Sequence, residues 1–242
     1  MSNPAHRIRV SLLAVLAALG VWAVPLARPV SAELPWEFSQ HTRYMALGDS
    51  LAAGYGAVPA TQGYVYLLYK NGVFDRAPNT LLSNVGVIGA TSQHVLDHQV
   101  PQACQAFQPT VVTLDVGGND LVAIAGGADP QQVLNAFATN FAAILDTLQN
   151  CLGAGAAIYV ANLYNPFPDS LEAEVIAQTA NGIITAIAGV RGIPVADVFG
   201  AFAGRRGLLV SERHGAEAFE IHPTNAGHRA IANAFKAVIP RH

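Results

Sequence analysis

The chain predicts an α/β fold, a parallel sheet with helices on both faces, and three observations point there. Short apolar or β-branched runs recur along the sequence, each stopped by glycine or a polar residue. Segments with helical spacing of apolar residues lie between them, and strands that alternate with helices build parallel sheets. Of the 242 residues, 52% are hydrophobic and 12% charged, enough for one sizeable core and far from the composition of a disordered chain. No internal repeat suggests a solenoid. A formal net charge of −3 argues against a nucleic-acid partner, because phosphate neutralisation needs a basic face.

Residues 1–32 read as an address. Arg7 and Arg9 precede an apolar run at 10–27, and Val30-Ser31-Ala32 offers a signal peptidase the residues it reads. Cleavage after Ala32 leaves residues 33–242 as one secreted, acidic domain with no stable membrane insertion. An uncleaved segment would anchor the chain instead, although the run is short for a span and Pro25 interrupts it. Export implies an oxidising compartment, so Cys104 and Cys151 are candidates for a disulfide. Two unpaired buried thiols are the alternative.

Past a lead-in at 33–42, residues 43–47 are apolar and stop at Gly48, as a buried strand does. A Gly/Pro-rich stretch at 54–63 leads into a helix at 64–70. Residues 80–85 form the second strand, and 92–107 a polar helix bent at Pro101. The β-branched run 110–116 is the third strand. Asp129 is a good N-cap, Pro130 fits the first helical position, and Gln132 completes a capping box. Val133, Phe137, Phe141, Ile144 and Leu148 follow at helical spacing. Strand four is 157–161, a helix covers 170–190, strand five is 193–198, and a last helix runs over 225–238. In open parallel sheets functional groups gather at the carboxyl ends of the strands.

Four short blocks fall at such ends or at a helix start. They are Gly48-Asp49-Ser50-Leu51, the segment from Asn84 to Ser92 containing Gly86 and Gly89, Gly117-Gly118-Asn119-Asp120, and His222-Pro223-Thr224-Asn225. Together they supply the parts of an acyl-transfer site. Ser50 at a strand-to-helix turn is a candidate nucleophile, but a serine hydroxyl needs a positioned base. His222 can be that base, since imidazole titrates near neutrality. The tetrahedral intermediate needs preorganised donors, and the Ser50 N–H, the Gly89 N–H and the Asn119 amide can provide them. The plainer readings are a helix cap for Ser50 and a tight turn for Asn119.

With all four blocks in this order, the chain resembles the GDSL family of lipases and esterases, also called SGNH hydrolases, over residues 43–238. The resemblance implies a flavodoxin-like three-layer αβα sandwich on a five-stranded parallel sheet. It also implies that Ser50, Gly89, Asn119 and His222 are the functional residues, and that esters, sometimes thioesters, are hydrolysed without metal or cofactor. One departure stands out. The family usually carries an aspartate three residues before the histidine, and here that residue is Phe219. Glu220 can orient the imidazole from two residues away. A backbone carbonyl, a water, or Asp197 after strand five are the alternatives.

Other polar residues have structural readings. Asp49 braces its loop, Asp120 caps the next short helix, Gly86 serves packing, and His228 packs in the last helix. His94 and His98 share a solvated helix face. Tyr64, Tyr66 and Tyr69 belong to core and cleft wall. The loops 54–63, 121–129, 163–170 and 200–220 should build the pocket, with Phe167, Phe199 and Phe202 as an apolar wall. The expected partner is a small ester or lipid, and the chain is expected to act as a monomer. Carbohydrate acetyl esters and thioesters fit the same chemistry. Two other classes compete: a metal-dependent phosphoesterase, which lacks a D-x-H ligand pair here, and a non-catalytic binding protein, favoured by Phe219 alone.

Overall fold

The computed structural model describes residues 36–75, 79–209 and 221–240. Residues 1–32, expected to be a signal peptide, and Phe219 and Glu220 lie outside the described residues. A short helix α1 (Trp36–Ser39) precedes β1 (Thr42–Gly48). The other strands are β2 (Thr80–Asn84), β3 (Val111–Asp115), β4 (Ala157–Ala161) and β5 (Val195–Ala196). All pair in parallel in the order β2-β1-β3-β4-β5. This is the expected five-stranded α/β sheet.

Period-two alternation along β1 explains the layers. Met45 and Leu47 join a core with Phe137, Phe141 and Ile144 of α7 (Pro130–Leu152) and Ile184 of α8 (Leu171–Gly189). Tyr44 and Ala46 face the other way, into a core with Tyr64 and Leu68 of α3 (Tyr64–Lys70) and Ile231 and Phe235 of α10 (Asn225–Val238). The Asp129 carboxylate accepts from Gln132 N at 2.8 Å, so α7 starts where its capping residues predict.

Two elements differ from expectation. The segment 92–107 is not one bent helix. The α turns α4 (Ser92–His94) and α5 (Val100–Gln102) alternate with π turns over Val95–Gln99 and Ala103–Phe107. Pro101 lacks an N–H and cannot continue a regular ladder. Strand β5 pairs over two residues only, because Pro194 cannot donate and Asp197 turns away to cap α9 (Val198–Phe202).

Cys104 and Cys151 form a disulfide with Cα atoms 5.5 Å apart. It closes a loop with a sequence separation of 47 residues. In the chain-entropy model such a loop contributes about 4 kcal/mol.

The order of the strands fixes where a site can form. After β1 the chain moves to β2 on one side, then crosses to β3 on the other. The connections that leave the paired carboxyl ends of β1 and β3 therefore run in opposite directions and open a crevice between them, the usual place for a ligand in open α/β sheets. Gly48 at the end of β1 has φ +144°, and a Cβ there would stand 2.1 Å from Asp115 O of β3. Only glycine lets the two strand ends lie this close.

Candidate active site

Ser50 opens α2 (Ser50–Ala53) directly after β1. Asp49 is the N-cap, and its Oδ1 accepts from Leu51 N at 2.9 Å. The helix is one turn long because Gly54 ends it in the left-handed conformation. Ser50 is thus held at a sharp corner, and its Oγ lies 2.7 Å from His222 Nε2 across 172 residues of chain.

His222 precedes α10 and is not on a strand. Several contacts from other elements hold it there. Tyr164 donates its Oη–H to Ile221 O at 2.6 Å. Thr224 caps α10 and donates its N–H to Leu208 O at 2.7 Å. Asn225 grips Val58 on both sides, accepting from its N–H at 2.8 Å and donating to its carbonyl at 2.6 Å. The Tyr55 ring packs on the imidazole, with centroids 4.3 Å apart. Gly56 has φ +86°, and a Cβ there would meet Pro223 O at 2.4 Å. The 54–59 loop therefore lies flush against the histidine turn.

His228 is fully buried behind this loop. Its Nε2–H donates to Tyr55 O at 2.8 Å, and its Nδ1 accepts from Tyr64 N at 3.4 Å. Both ring nitrogens are used by the neutral form. Burial pushes its pKa down to about 4, against the partial support of the Tyr55 carbonyl.

The expected oxyanion donors sit on two further loops: Asn119 lines the same cleft as Ser50, whereas Gly89 is not part of its lining. Asn119 sits in the first turn of α6 (Gly118–Ala125), after β3. Its amide donates to Ala90 O at 2.9 Å and lies 3.4 Å from Asp49 Oδ2. The first bond ties Asn119 to the Gly89 loop. Gly89 is exposed, and the space where a side chain would stand is open.

Asp120 does not cap the following helix as expected. Gly117 is the cap of α6, and Asp120 reaches back to accept from Ser92 N at 2.9 Å and from Ser92 Oγ. It thereby braces the start of α4. Asp197 caps α9, its Oδ1 accepting from Gly200 N and from Asn162 Nδ2, each at 2.9 Å.

Two buried acids lie beneath the nucleophile. Asp49 has its pKa pushed up to about 7 by burial, opposed by the Leu51 N–H and assisted by the charge of Asp120. Asp115, at the end of β3, is raised well above the usual carboxylate range by burial and then by Asp49. Sequence reading did not single out Asp115. Its signal was present, a lone acid closing a β-branched run. Tyr55 and Tyr164 were missed too, and nothing local marks them; Asn225 stands in the histidine block, but its grip on Val58 is not legible there.

A cleft of about 600 Å³ opens beside Ser50 and His222. Leu121, Val122 and Ile124 of α6 form one wall, and Phe167, Ala173 and Ile176 the other. Phe199 and Phe202 do not line it, and Phe202 stacks on Tyr164 at 4.5 Å instead. Tyr64 is core as expected, whereas Tyr66 and Tyr69 pack on each other away from the cleft. A hollow of about 660 Å³ beside β5, reached by Arg205 and Arg229, holds no nucleophile. The His94 and His98 rings lie 4.7 Å apart, but no group of three metal-capable side chains gathers among the described residues. No helix of the described residues is long and apolar enough to cross a membrane.

Comparison with known proteins places the fold and the family. The chain is 24% identical over 207 residues to the spore germination lipase LipC of Bacillus licheniformis, covering 81% of this chain and 95% of that protein. Its fold matches the lipase Lip_vut3 from a goat rumen metagenome with a TM-score of 0.65 at 22% identity, over 81% of this chain and 96% of the other. It matches an acetylxylan esterase, Axe2 of Geobacillus stearothermophilus, with a TM-score of 0.64 at 16% identity, over 83% and 95%. That esterase was solved as catalytic mutants with a histidine or a serine replaced by alanine. Residues 46–230 match the model of the GDSL-like lipase/acylhydrolase family, and the chain belongs to that family of ester-hydrolysing enzymes.

Proposed function

We propose that the chain is a secreted serine esterase or lipase that works through an acyl-enzyme on Ser50. The observation that carries this reading is the 2.7 Å contact between Ser50 Oγ and His222 Nε2. As Ser50 Oγ attacks the acyl carbonyl, its proton passes to His222 Nε2. The carbonyl oxygen becomes an oxyanion held by the Ser50 N–H, the Gly89 N–H and the Asn119 amide. Collapse of the intermediate breaks the ester C–O bond, and the imidazolium returns its proton to the leaving alcohol. Water, deprotonated by the same imidazole, then releases the acid and restores Ser50. Glu220 is our choice for orienting the imidazole. Asp197 is committed to α9.

The cleft walls favour an aliphatic acyl group over a sugar, because Leu121, Val122, Ile124 and Ile176 offer no hydrogen bonds. Secretion rests on the residue pattern of 1–32, and the Cys104–Cys151 bridge fits an oxidising compartment. The test is Ser50→Ala. Hydrolysis of short p-nitrophenyl esters should fall about 10⁶-fold, roughly what removing such a nucleophile costs elsewhere, with the circular dichroism spectrum unchanged. Full activity in that variant would refute the reading.

A further inference from the structure

Large apolar side chains that stay exposed are unevenly placed. Among the described residues, all but Tyr66 and Val190 follow the carboxyl ends of β1 to β4. Tyr55 and Val58 come after β1, Val87 and Ile88 after β2, Val122 after β3, and Leu171 and Val175 after β4. Val58 is 77% exposed, Ile88 61% and Leu171 79%. The helix α6 is the extreme case: its sequence is largely apolar, yet none of its residues is buried. Val122 belongs both to this rim and to the cleft wall, so the apolar surface runs from the rim into the cleft. Exposed apolar side chains gathered after the carboxyl ends of neighbouring strands mark a place of interaction.

Charge decides which surface fits. The four segments that carry or adjoin the rim are 50–64, 86–92, 117–128 and 162–175. They contain no lysine or arginine, and their charged residues, Asp120, Asp169, Glu172 and Glu174, are all acidic. Asp120 is turned inward onto Ser92, and Asp169 is paired with Arg206. An anionic membrane would find nothing basic on these segments to attract it. A lipid surface without net charge requires only apolar contact with an amphipathic edge, which valine, isoleucine, leucine and tyrosine supply.

We propose that this rim docks the enzyme on an electrically neutral lipid surface, with the cleft facing the lipid so that an acyl chain can enter without crossing water. The proposal rests on reading the cleft as an ester-hydrolysing site. The experiment compares the full chain with Leu171→Glu/Val175→Glu, neither of which lines the cleft. Glutamate suits the first turns of a helix, so α8 is kept. Val190→Glu, at the opposite end of α8, is the control. All carry the same N-terminus, so differences read the rim.

Binding to phosphatidylcholine vesicles, measured on the Ser50→Ala background to remove turnover, should weaken at least tenfold in the double variant and not in the control. Adding phosphatidylglycerol should not strengthen it. With Ser50 present, hydrolysis of emulsified tributyrin should fall about tenfold in the double variant, while hydrolysis of a dissolved short ester stays unchanged. Equal vesicle binding by wild type and double variant overturns the proposal. So does tighter binding to anionic vesicles, or an equal loss in Val190→Glu. A wild-type dimer that the double variant converts to monomer also overturns it, since a second copy would then cover the rim. Failure of the wild type to hydrolyse either ester sinks the catalytic reading instead, while the vesicle assay still decides docking.

Discussion

The two halves of the candidate site are positioned by different physics. Ser50 is placed by the sheet: β1 ends against β3, Gly48 permits the contact, and the one-turn helix α2 points the hydroxyl outward. His222 is placed by clamps, namely the Asn225 grip on Val58, the Tyr164 bond to Ile221 O, and the Tyr55 ring. A site half built on a rigid edge and half on tethered turns should respond differently to damage on each side. Lesions near Ser50 threaten the fold, and lesions near His222 loosen the geometry first.

The hardest break is Gly48→Ala. Its Cβ would strike Asp115 O at a backbone angle that L residues avoid. We expect a loss on the order of 4 kcal/mol, in the range of severe core lesions, seen as a collapse of the thermal midpoint. Next comes Asn119→Ala, which should cut kcat by about 10²–10³ with little change in KM, as loss of an oxyanion donor does. A raised KM with kcat unchanged would place Asn119 in ground-state binding instead.

Acidification separates the halves by sign. His228 titrates near 4 in the folded chain against 6.5 unfolded. The unfolded state therefore binds the extra proton between those values, and this stabilisation is lost as pH falls from about 6.5 to 4, up to about 3 kcal/mol. Asp49 is raised to about 7 from 3.8, so the folded state holds the proton, and its contribution is lost as pH rises through about 7. Denaturation midpoints across pH 4–7 should show it. His228→Gln should become relatively more stable on acidification, and Asp49→Asn relatively less. The mildest break is Asn225→Ala, which removes two bonds to Val58. At about 1 kcal/mol per net hydrogen bond, kcat should drop roughly tenfold, while the melting temperature moves by only a few degrees.

This division also explains what the sequence made legible. Ser50, Gly89 and Asn119 each sit just after a strand that its own residues announce, so their shared edge follows from connectivity. His222 was readable from its block, but its partners were not. Asn225 and Val58 stand 167 residues apart, and nothing local to either predicts the contact. Asp120 misled because an acid beside a helix start reads as a cap, whereas here it serves α4, 28 residues upstream. Strand five was overread because its apolar pattern continues past the two residues that pair. Asp115 shows the converse: an acid inside a β-branched run was visible as an oddity, but its burial next to Asp49 depends on how β1 and β3 register.

The cystine ties the chain just ahead of β3 to the chain just ahead of β4, at the pole of the sheet remote from Ser50. Heat resistance and turnover are thereby fastened at opposite ends of the molecule. A reductant should shorten the enzyme's working life in warm medium without dulling the molecules that stay folded.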